Sequence, residues 1–267
     1  DLKNYTSIYR NGTNYSDTWY ADDKNEGWLS ETEYAVLKNS MLKSVYENGG
    51  FYVGRYEAGI DTKTGTNRTS NTDKNSDGKY TMPSTVPVTK ADAYPYTYVT
   101  RTQAQNLASN VNSGTKTSSL MFGVQWDLVL AFMSKDTAKI TSTDVLTKNS
   151  VTIGNYKDNL WTIKNAKAQY SSDYGDTFTA CPNPFEKESS SYILLTTGAD
   201  SRFSVQNIYD IAGNVEEWTL EKTSITDYPC AGRGGSYDRT GSNCPAAGRI
   251  INSSDFSYNG GFRVSLF

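Results

Sequence analysis

Apolar side chains recur at helical spacing in three stretches of the chain. Residues 34–45 carry the first pattern, which follows a capping box at residues 30–33 and stops at Gly49. A second capping box at residues 100–103 precedes a shorter apolar face, and a third apolar run covers residues 125–133. The spacing therefore predicts three helices in a chain whose other segments lack this period.

Outside these helices the pattern is irregular or alternates over only a few positions. Residues 51–57 alternate as a strand does, whereas residues 1–29 and 134–200 show no sustained period. Residues 61–85 form a long polar stretch rich in turn-forming residues. The pattern predicts a loop-rich α+β fold, with short helices on small antiparallel sheets and with residues 1–29 as an N-terminal arm.

Composition and charge narrow the class of protein. The 267 residues show no internal repeat, linker or shift in composition, so residues 1–267 are predicted to form a single domain. The net charge is −3 and the basic residues are scattered, which argues against a nucleic-acid partner. No segment approaches the roughly 18 consecutive apolar residues of a membrane span, so none is predicted.

The chain has no histidine and three cysteines, Cys181, Cys230 and Cys244. The absence of histidine excludes histidine-based catalytic triads and histidine-ligated zinc. The cysteines lack the spacing of a metal site, and their odd number argues against a fully paired disulfide framework. A single bridge between Cys230 and Cys244 and three free thiols are both left open.

One segment of the long polar stretch resembles the first half of a calcium-binding loop. Asp73, Asn75, Asp77 and Gly78 have the expected spacing, but the twelfth position holds Ser84 instead of an acidic ligand. Stretches of this composition are usually plain turns. We therefore favour a turn over a calcium site in this segment.

Three ordered motifs lie in the last third of the chain. Residues 207–218 read NIYDIAGNVEEW, residues 233–237 read RGGSY and residues 261–264 read GFRV. Their order and spacing resemble the signatures of the formylglycine-generating enzyme family, and the resemblance extends over about residues 44–267. It implies a formylglycine-generating-enzyme-like variant of the C-type lectin fold.

The resemblance also implies a structural calcium ion in the first motif. Its ligands would be the carboxylates of Asp210 and Glu217 and the carbonyl oxygens of Gly213 and Val215. Oxygen ligands from flexible turns suit calcium. Arg263 of the last motif is expected to make a buried ion pair or carbonyl contacts, since its guanidinium presents five donors.

The family's oxidase chemistry requires two neighbouring cysteines that bind copper as thiolates. Counted from the second motif, these positions fall on Arg239 and Cys244, so one of the two thiols is missing. Cys230 precedes the motif and would reach the site by a different path. We therefore expect no copper and no enzymatic activity. A copper-dependent formylglycine-generating oxidase that acts on a protein cysteine is kept as an alternative.

The last 45 residues have an unusual composition. Lys, Glu, Gln, Met and Trp account for 41 of the first 222 residues and are absent from residues 223–267. These five amino acids are the ones that an NNY codon cannot encode. In this respect the segment resembles the variable proteins of diversity-generating retroelements, in which adenine mutagenesis converts AAY codons into NNY.

The variable region is predicted at residues 236–260, in two runs between recognisable motif residues. The candidate ligand-binding residues, expected to form an exposed patch, are Tyr237, Asp238, Arg239, Thr240, Asn243, Ile250, Ile251, Asn252, Asp255, Phe256, Ser257, Tyr258 and Asn259. Tyr, Arg, Asn and Ser are residue types that paratopes favour. The sequence thus predicts recognition of a protein or glycan target from a phage particle or bacterial cell surface. A structural tail or adhesin module is the remaining alternative.

Overall fold

The computed structural model describes residues 1–10, 15–22, 27–61, 84–111, 114–255 and 258–267. In these ranges the α-helices are α1 (Leu2–Tyr5), α2 (Glu31–Asn48), α3 (Arg101–Ser109), α4 (Gly123–Met133) and α5 (Asp144–Thr147). Short 3₁₀ helices cover Ser7–Tyr9 and Ser201–Phe203. Among the helices described, none has the length and apolar character needed to cross a membrane.

The three predicted helices are confirmed as α2, α3 and α4. Ser30 and Glu33 form both bonds of a capping box at the start of α2, and Gly49 ends it in the left-handed conformation with φ 76°. Thr100 and Gln103 cap α3 in the same reciprocal way. Local sequence chemistry therefore sets the ends of these two helices.

The strands are short. They are β1 (Tyr15–Ser16), β2 (Tyr52–Val53), β3 (Gly59–Ile60), β4 (Tyr94–Pro95), β5 (Ser118–Leu120), β6 (Trp161–Ile163), β7 (Gln169–Ser171), β8 (Thr179–Ala180), β9 (Phe185–Lys187), β10 (Leu194–Leu195), β11 (Ser204–Val205), β12 (Ile208–Tyr209), β13 (Glu216–Thr223), β14 (Cys230–Arg233), β15 (Arg249–Asn252), β16 (Gly260–Phe262) and β17 (Val264–Leu266). The predicted strand at 51–57 is therefore confirmed only as the two residues of β2.

The largest sheet has the strand order β1-β13-β14-β15, and β16 pairs with β13. The pairing of β13 with β16 is parallel, whereas β1, β14 and β15 join by antiparallel pairing. A second sheet of three strands has the order β2-β17-β5, again antiparallel. Short helices beside small, mainly antiparallel sheets make this an α+β fold.

The structure has two main hydrophobic clusters, of which the first includes residues of the largest sheet. Trp218 and Phe262 belong to the cluster that α2 and α3 cover, and Trp126 of α4 lies in the other cluster. The described residues of the N-terminal arm pack onto this body. Tyr9 is buried in the cluster around α4, and β1 pairs with the end of β13.

Candidate functional site

The three sequence motifs meet as neighbouring strands of the largest sheet. Glu217 in β13 lies opposite Arg233 of β14 on one side and Gly261 of β16 on the other. The chain between β14 and β16 contains the predicted variable region, with β15 at its centre. We call β13, β14 and β16, which carry the three motifs, the frame. The predicted variable region connects β14 to β16.

A glycine turn leads from β14 into the variable region. Gly234 and Gly235 have φ of 84° and 74°, a backbone conformation that strongly favours glycine. A Cβ atom on Gly235 would collide with the carbonyl oxygen of Cys244. The hydroxyl of Tyr156 lies 2.7 Å from the oxygen of Gly234 and 2.9 Å from that of Cys244, which holds the turn against the loop.

Four buried charged side chains, Asp127, Glu221, Arg233 and Arg249, form a closed ring that we call the charge ring. Arg233 lies 2.7 Å from Asp127 and 3.2 Å from Glu221. Arg249 lies 2.7 Å from Asp127 and 2.9 Å from Glu221. All four side chains are at most 1% exposed. Because Arg249 begins β15, the charge ring fixes the start of this strand, which lies in the predicted variable region.

Arg263 makes the buried ion pair and the carbonyl contacts that the sequence predicts, so this expectation is confirmed. Its guanidinium donates to Glu217 at 2.7 Å and to the backbone oxygens of Gly54 and Tyr209 at 2.9 and 2.8 Å. These contacts join β13, the loop after β2 and the end of β12. The last motif therefore anchors the first motif from the neighbouring strand.

Three buried carboxyl groups surround this single arginine. Glu57 accepts hydrogen bonds from the side chain of Asn214 and from the amide of Val215, and Asp210 accepts one from the amide of Gly198. Burial, together with the charges of Asp210 and Glu217, raises the pKa of Glu57 well above its ordinary value. Burial also raises the pKa of Asp210. Because three carboxyl groups face one guanidinium group, the protonated forms of these carboxyl groups are favoured.

Of the four predicted calcium ligands, the two carboxylates are engaged by other groups in this structure. Both carboxylate oxygens of Glu217 are bound by Arg263, whose guanidinium supplies the neighbouring positive charge. Asp210 accepts a backbone amide. Within the described ranges no group of three acidic, cysteine or histidine side chains could hold a metal ion. The weaker candidate at Asp73, Asn75, Asp77 and Gly78 lies outside the described residues.

The predicted ligand-binding residues differ in their exposure. Exposed residues are Arg239, Asn243, Ile251 and Asp255; partly exposed ones are Thr240, Ile250, Asn252 and Tyr258; buried ones are Tyr237, Asp238 and Asn259. Phe256 and Ser257 lie outside the described residues. The expectation of an exposed patch holds for the first two groups. It is wrong for the three buried residues, which support the loops from within.

Asp238 links the two runs of the predicted variable region from within. Its carboxylate accepts hydrogen bonds from the hydroxyls of Ser236 and Tyr258, at 2.5 and 2.8 Å, and from the side chain of Asn259 at 3.0 Å. Tyr237 packs in a small apolar cluster with Leu194 and Val215. The inward side chains thus fix the loops, and the outward side chains are available to contact a ligand. We call the exposed and partly exposed residues of the variable region the variable face.

Tyr174 joins the variable face from a distant part of the chain. Its ring meets that of Tyr258 edge-on with centroids 4.9 Å apart, and the residue is 43% exposed. Sequence reasoning missed Tyr174 because it lies 84 positions before Tyr258, in a segment without periodicity. Its backbone is left-handed, with φ 61°, a conformation that is uncommon outside glycine.

Glu216 lies beneath the variable face and makes stability depend on pH. Burial raises its pKa to about 7, and Asn252 donates a hydrogen bond to its carboxylate. Between the unfolded pKa near 4.5 and the folded value, the folded state binds a proton that the unfolded state lacks. The free energy of unfolding is therefore expected to fall as pH rises through this window, by roughly 1–3 kcal/mol from this group.

Urea denaturation of the wild type and of Glu216→Gln across pH 5–8 measures this contribution. The glutamine variant should gain stability relative to the wild type as pH rises, because it carries no charge to bury. A pH-independent difference between the two proteins would contradict the expectation. Asp210 titrates in the same direction and contributes to both proteins equally.

The three cysteines are free in the structure, so the bridge between Cys230 and Cys244 is absent. Cys230 is fully buried, and its sulfur lies 3.0 Å from the hydroxyl of Tyr20. Burial raises the pKa of Cys230, and it raises the pKa of Cys244 to about 11. Burial therefore favours the protonated thiol at both positions near neutral pH.

Comparison with known proteins gives little further information. No known family matches the chain in sequence, and no curated protein is similar to it. Among solved structures, Treponema denticola variable protein 1 is similar with 18% sequence identity and a TM-score of 0.28. The match covers 56% of this chain and 48% of that chain, about half of each. A likeness at this level carries no argument about fold or function.

Proposed function

We propose that this chain is a ligand-recognition module of the kind that diversity-generating retroelements vary, built on a C-type-lectin-like scaffold. The observation that carries the proposal is a difference in burial between two sets of residues within residues 233–263. Motif residues such as Arg233 and Arg263 are buried and fully engaged, whereas Arg239, Asn243 and Ile251 between them face solvent. A protein whose binding residues must change while its fold persists requires this separation.

The coding composition supports the same proposal. Residues 223–267 contain none of the five amino acids that NNY codons cannot encode. The target is proposed to be a protein or glycan, met from a phage particle or bacterial cell surface. Large amphipathic side chains such as Tyr258 and Arg239 supply contact area and hydrogen bonds at low ordering cost.

Sequencing the DNA around the gene tests the proposal. We expect a second copy of the segment that encodes residues 236–267, with AAY codons at the positions of Arg239, Asn243, Ile251 and Asp255. Positions of the fixed frame, such as Arg263, should be identical in both copies. The absence of such a copy, or differences spread equally over frame and face, would overturn the proposal.

The same substitution, made once at a buried position and once at an exposed position, tests this difference directly. Asp238→Ser should lower the free energy of unfolding by about 2–4 kcal/mol, because Tyr258 and Asn259 lose a buried, charged acceptor. The same change at exposed Asp255 should alter it by less than about 0.5 kcal/mol. Urea denaturation measures both values. Equal losses in the free energy of unfolding would show that the exposed residues of the variable face matter as much for stability as the buried residues beneath them.

We further propose that the chain is not a copper oxidase. The high pKa of Cys244 and the complete burial of Cys230 support this, as does Arg239 at the position of the second thiol. Titration with Cu(I) at neutral pH is expected to give no tight one-to-one complex, and oxygen uptake with a cysteine-containing peptide should equal the protein-free blank. Tight binding with turnover would replace the recognition proposal by an enzymatic one.

A further inference from the structure

A cleft with both polar and apolar lining lies where β15 ends. Three segments of the chain border it: residues 20–22, the hairpin turn that joins β13 to β14, and Ser254 just after β15. The amide of Thr223 donates to the oxygen of Pro229 at 3.0 Å and closes the turn. The hydroxyl of Ser254 donates to the carboxylate of Asp22 at 3.0 Å, joining the N-terminal segment to the variable region.

The cleft has a volume of about 360 Å³, which is in the range of small-molecule sites. Its polar groups mix acceptors and donors. Asp22 and Asp227 supply carboxylates, Lys222 supplies an ammonium group, and Ser224 and Thr226 supply hydroxyls. Its apolar part is no smaller than its polar part and includes Tyr20, Ile225 and Pro229.

This mixture fits a neutral, polyhydroxylated ligand better than a charged or apolar one. Hydroxyl groups donate to carboxylates and accept from ammonium groups, so one ligand can satisfy both kinds of lining group. An anion would face Asp22 and Asp227 with only Lys222 in compensation. An apolar ligand would desolvate the carboxylates without offering them a hydrogen bond.

The aromatic side of the cleft is held rigidly. The ring of Tyr20 stacks with that of Trp28 at 6.2 Å, and the guanidinium of Arg101 lies 4.3 Å from Tyr20 and 3.6 Å from Trp28. The hydroxyl of Tyr20 is also bound to the sulfur of Cys230. A surface that is fixed before binding loses less entropy when a ligand arrives.

We infer that this cleft binds a single sugar unit of a glycan. All of its lining residues except Ser254 lie outside the predicted variable region, so it is a constant subsite beside the variable face. The inference goes beyond the proposed function and does not depend on it, because the cleft exists whether or not residues 236–260 are diversified.

Titration of ¹⁵N-labelled full-length protein with glucose, galactose and N-acetylglucosamine at millimolar concentrations tests the inference. At least one sugar should shift the amide resonances of residues 20–22, 222–227 and 254. Asp227→Asn should weaken its binding about tenfold, since a charged hydrogen-bond acceptor is lost. Asp176→Asn, an exposed change outside the cleft, is the matched control and should bind like the wild type.

The absence of shifts with all three sugars, or shifts confined to other regions, would overturn the inference. Nα-acetyl-lysine amide, whose ε-ammonium group stays free, serves as a cationic probe. If it alone shifts the cleft resonances, the site is a cation site and the sugar inference is wrong. These outcomes are independent of the search for a second DNA copy, so each proposal can fail separately.

Discussion

Replacing Arg233 with methionine is expected to lower the free energy of unfolding by about 3–5 kcal/mol. The change removes one of two cations from the charge ring. Glu221 and Asp127 are left with Arg249 and with the more distant Arg10, which lies 3.7 Å from Asp127. Both carboxylates are fully buried, so water cannot compensate the loss. Methionine has a similar length, which keeps the cavity small and makes the lost charge the main effect.

Urea denaturation at neutral pH measures the loss, and Arg239→Met is the matched control. Arg239 is half exposed, with its nearest carboxylate 4.0 Å away, so its replacement should change the free energy of unfolding by less than about 0.5 kcal/mol. If both variants were equally stable, the charge ring would not be what fixes the frame.

Replacing Gly213 with alanine is expected to lower the free energy of unfolding by about 2–5 kcal/mol. Two effects add. The residue has φ 71°, where an L side chain is strained by about 1–2 kcal/mol. Its new Cβ would also collide with the backbone of Asn155, which is held by a bridge to Gly213 itself and cannot easily move. Such overpacking adds about 1–3 kcal/mol.

Gly49→Ala separates the two effects. Gly49 has φ 76°, but a Cβ added there would meet nothing within 4 Å, so only the backbone strain applies. Its cost should be about 1–2 kcal/mol. Thermal or urea denaturation of both variants gives the comparison. Equal costs would mean that the contact with Asn155 relaxes without penalty.

The elements that local chemistry specifies could be predicted from the sequence. Capping boxes at Ser30 and Thr100 predicted where α2 and α3 begin, and both are observed. The ordered motifs predicted the buried role of Arg263 correctly. Each of these predictions needed only neighbouring residues or a characteristic motif.

Contacts between distant segments could not be predicted in this way. The start of α4 is capped by Asp17, whose carboxylate accepts the amides of Gly123 and Val124 from more than 100 positions away. The burial of Asp238 likewise depends on Tyr258 and Asn259 folding back over it. A single sequence carries no periodic signal for such pairs, so the inward and outward residues of the variable region could not be separated.

The N-terminal segment has a consequence for the order in which the protein assembles. The side chain of Arg249 donates to the oxygen of Tyr9, 240 positions earlier, and the hydroxyl of Tyr15 donates to the oxygen of Arg249 across 234 positions. Contacts of such long sequence separation slow folding, since distant segments must first meet. Residues near Tyr9 and Tyr15 therefore reach their final contacts only after the segment around Arg249 has been made.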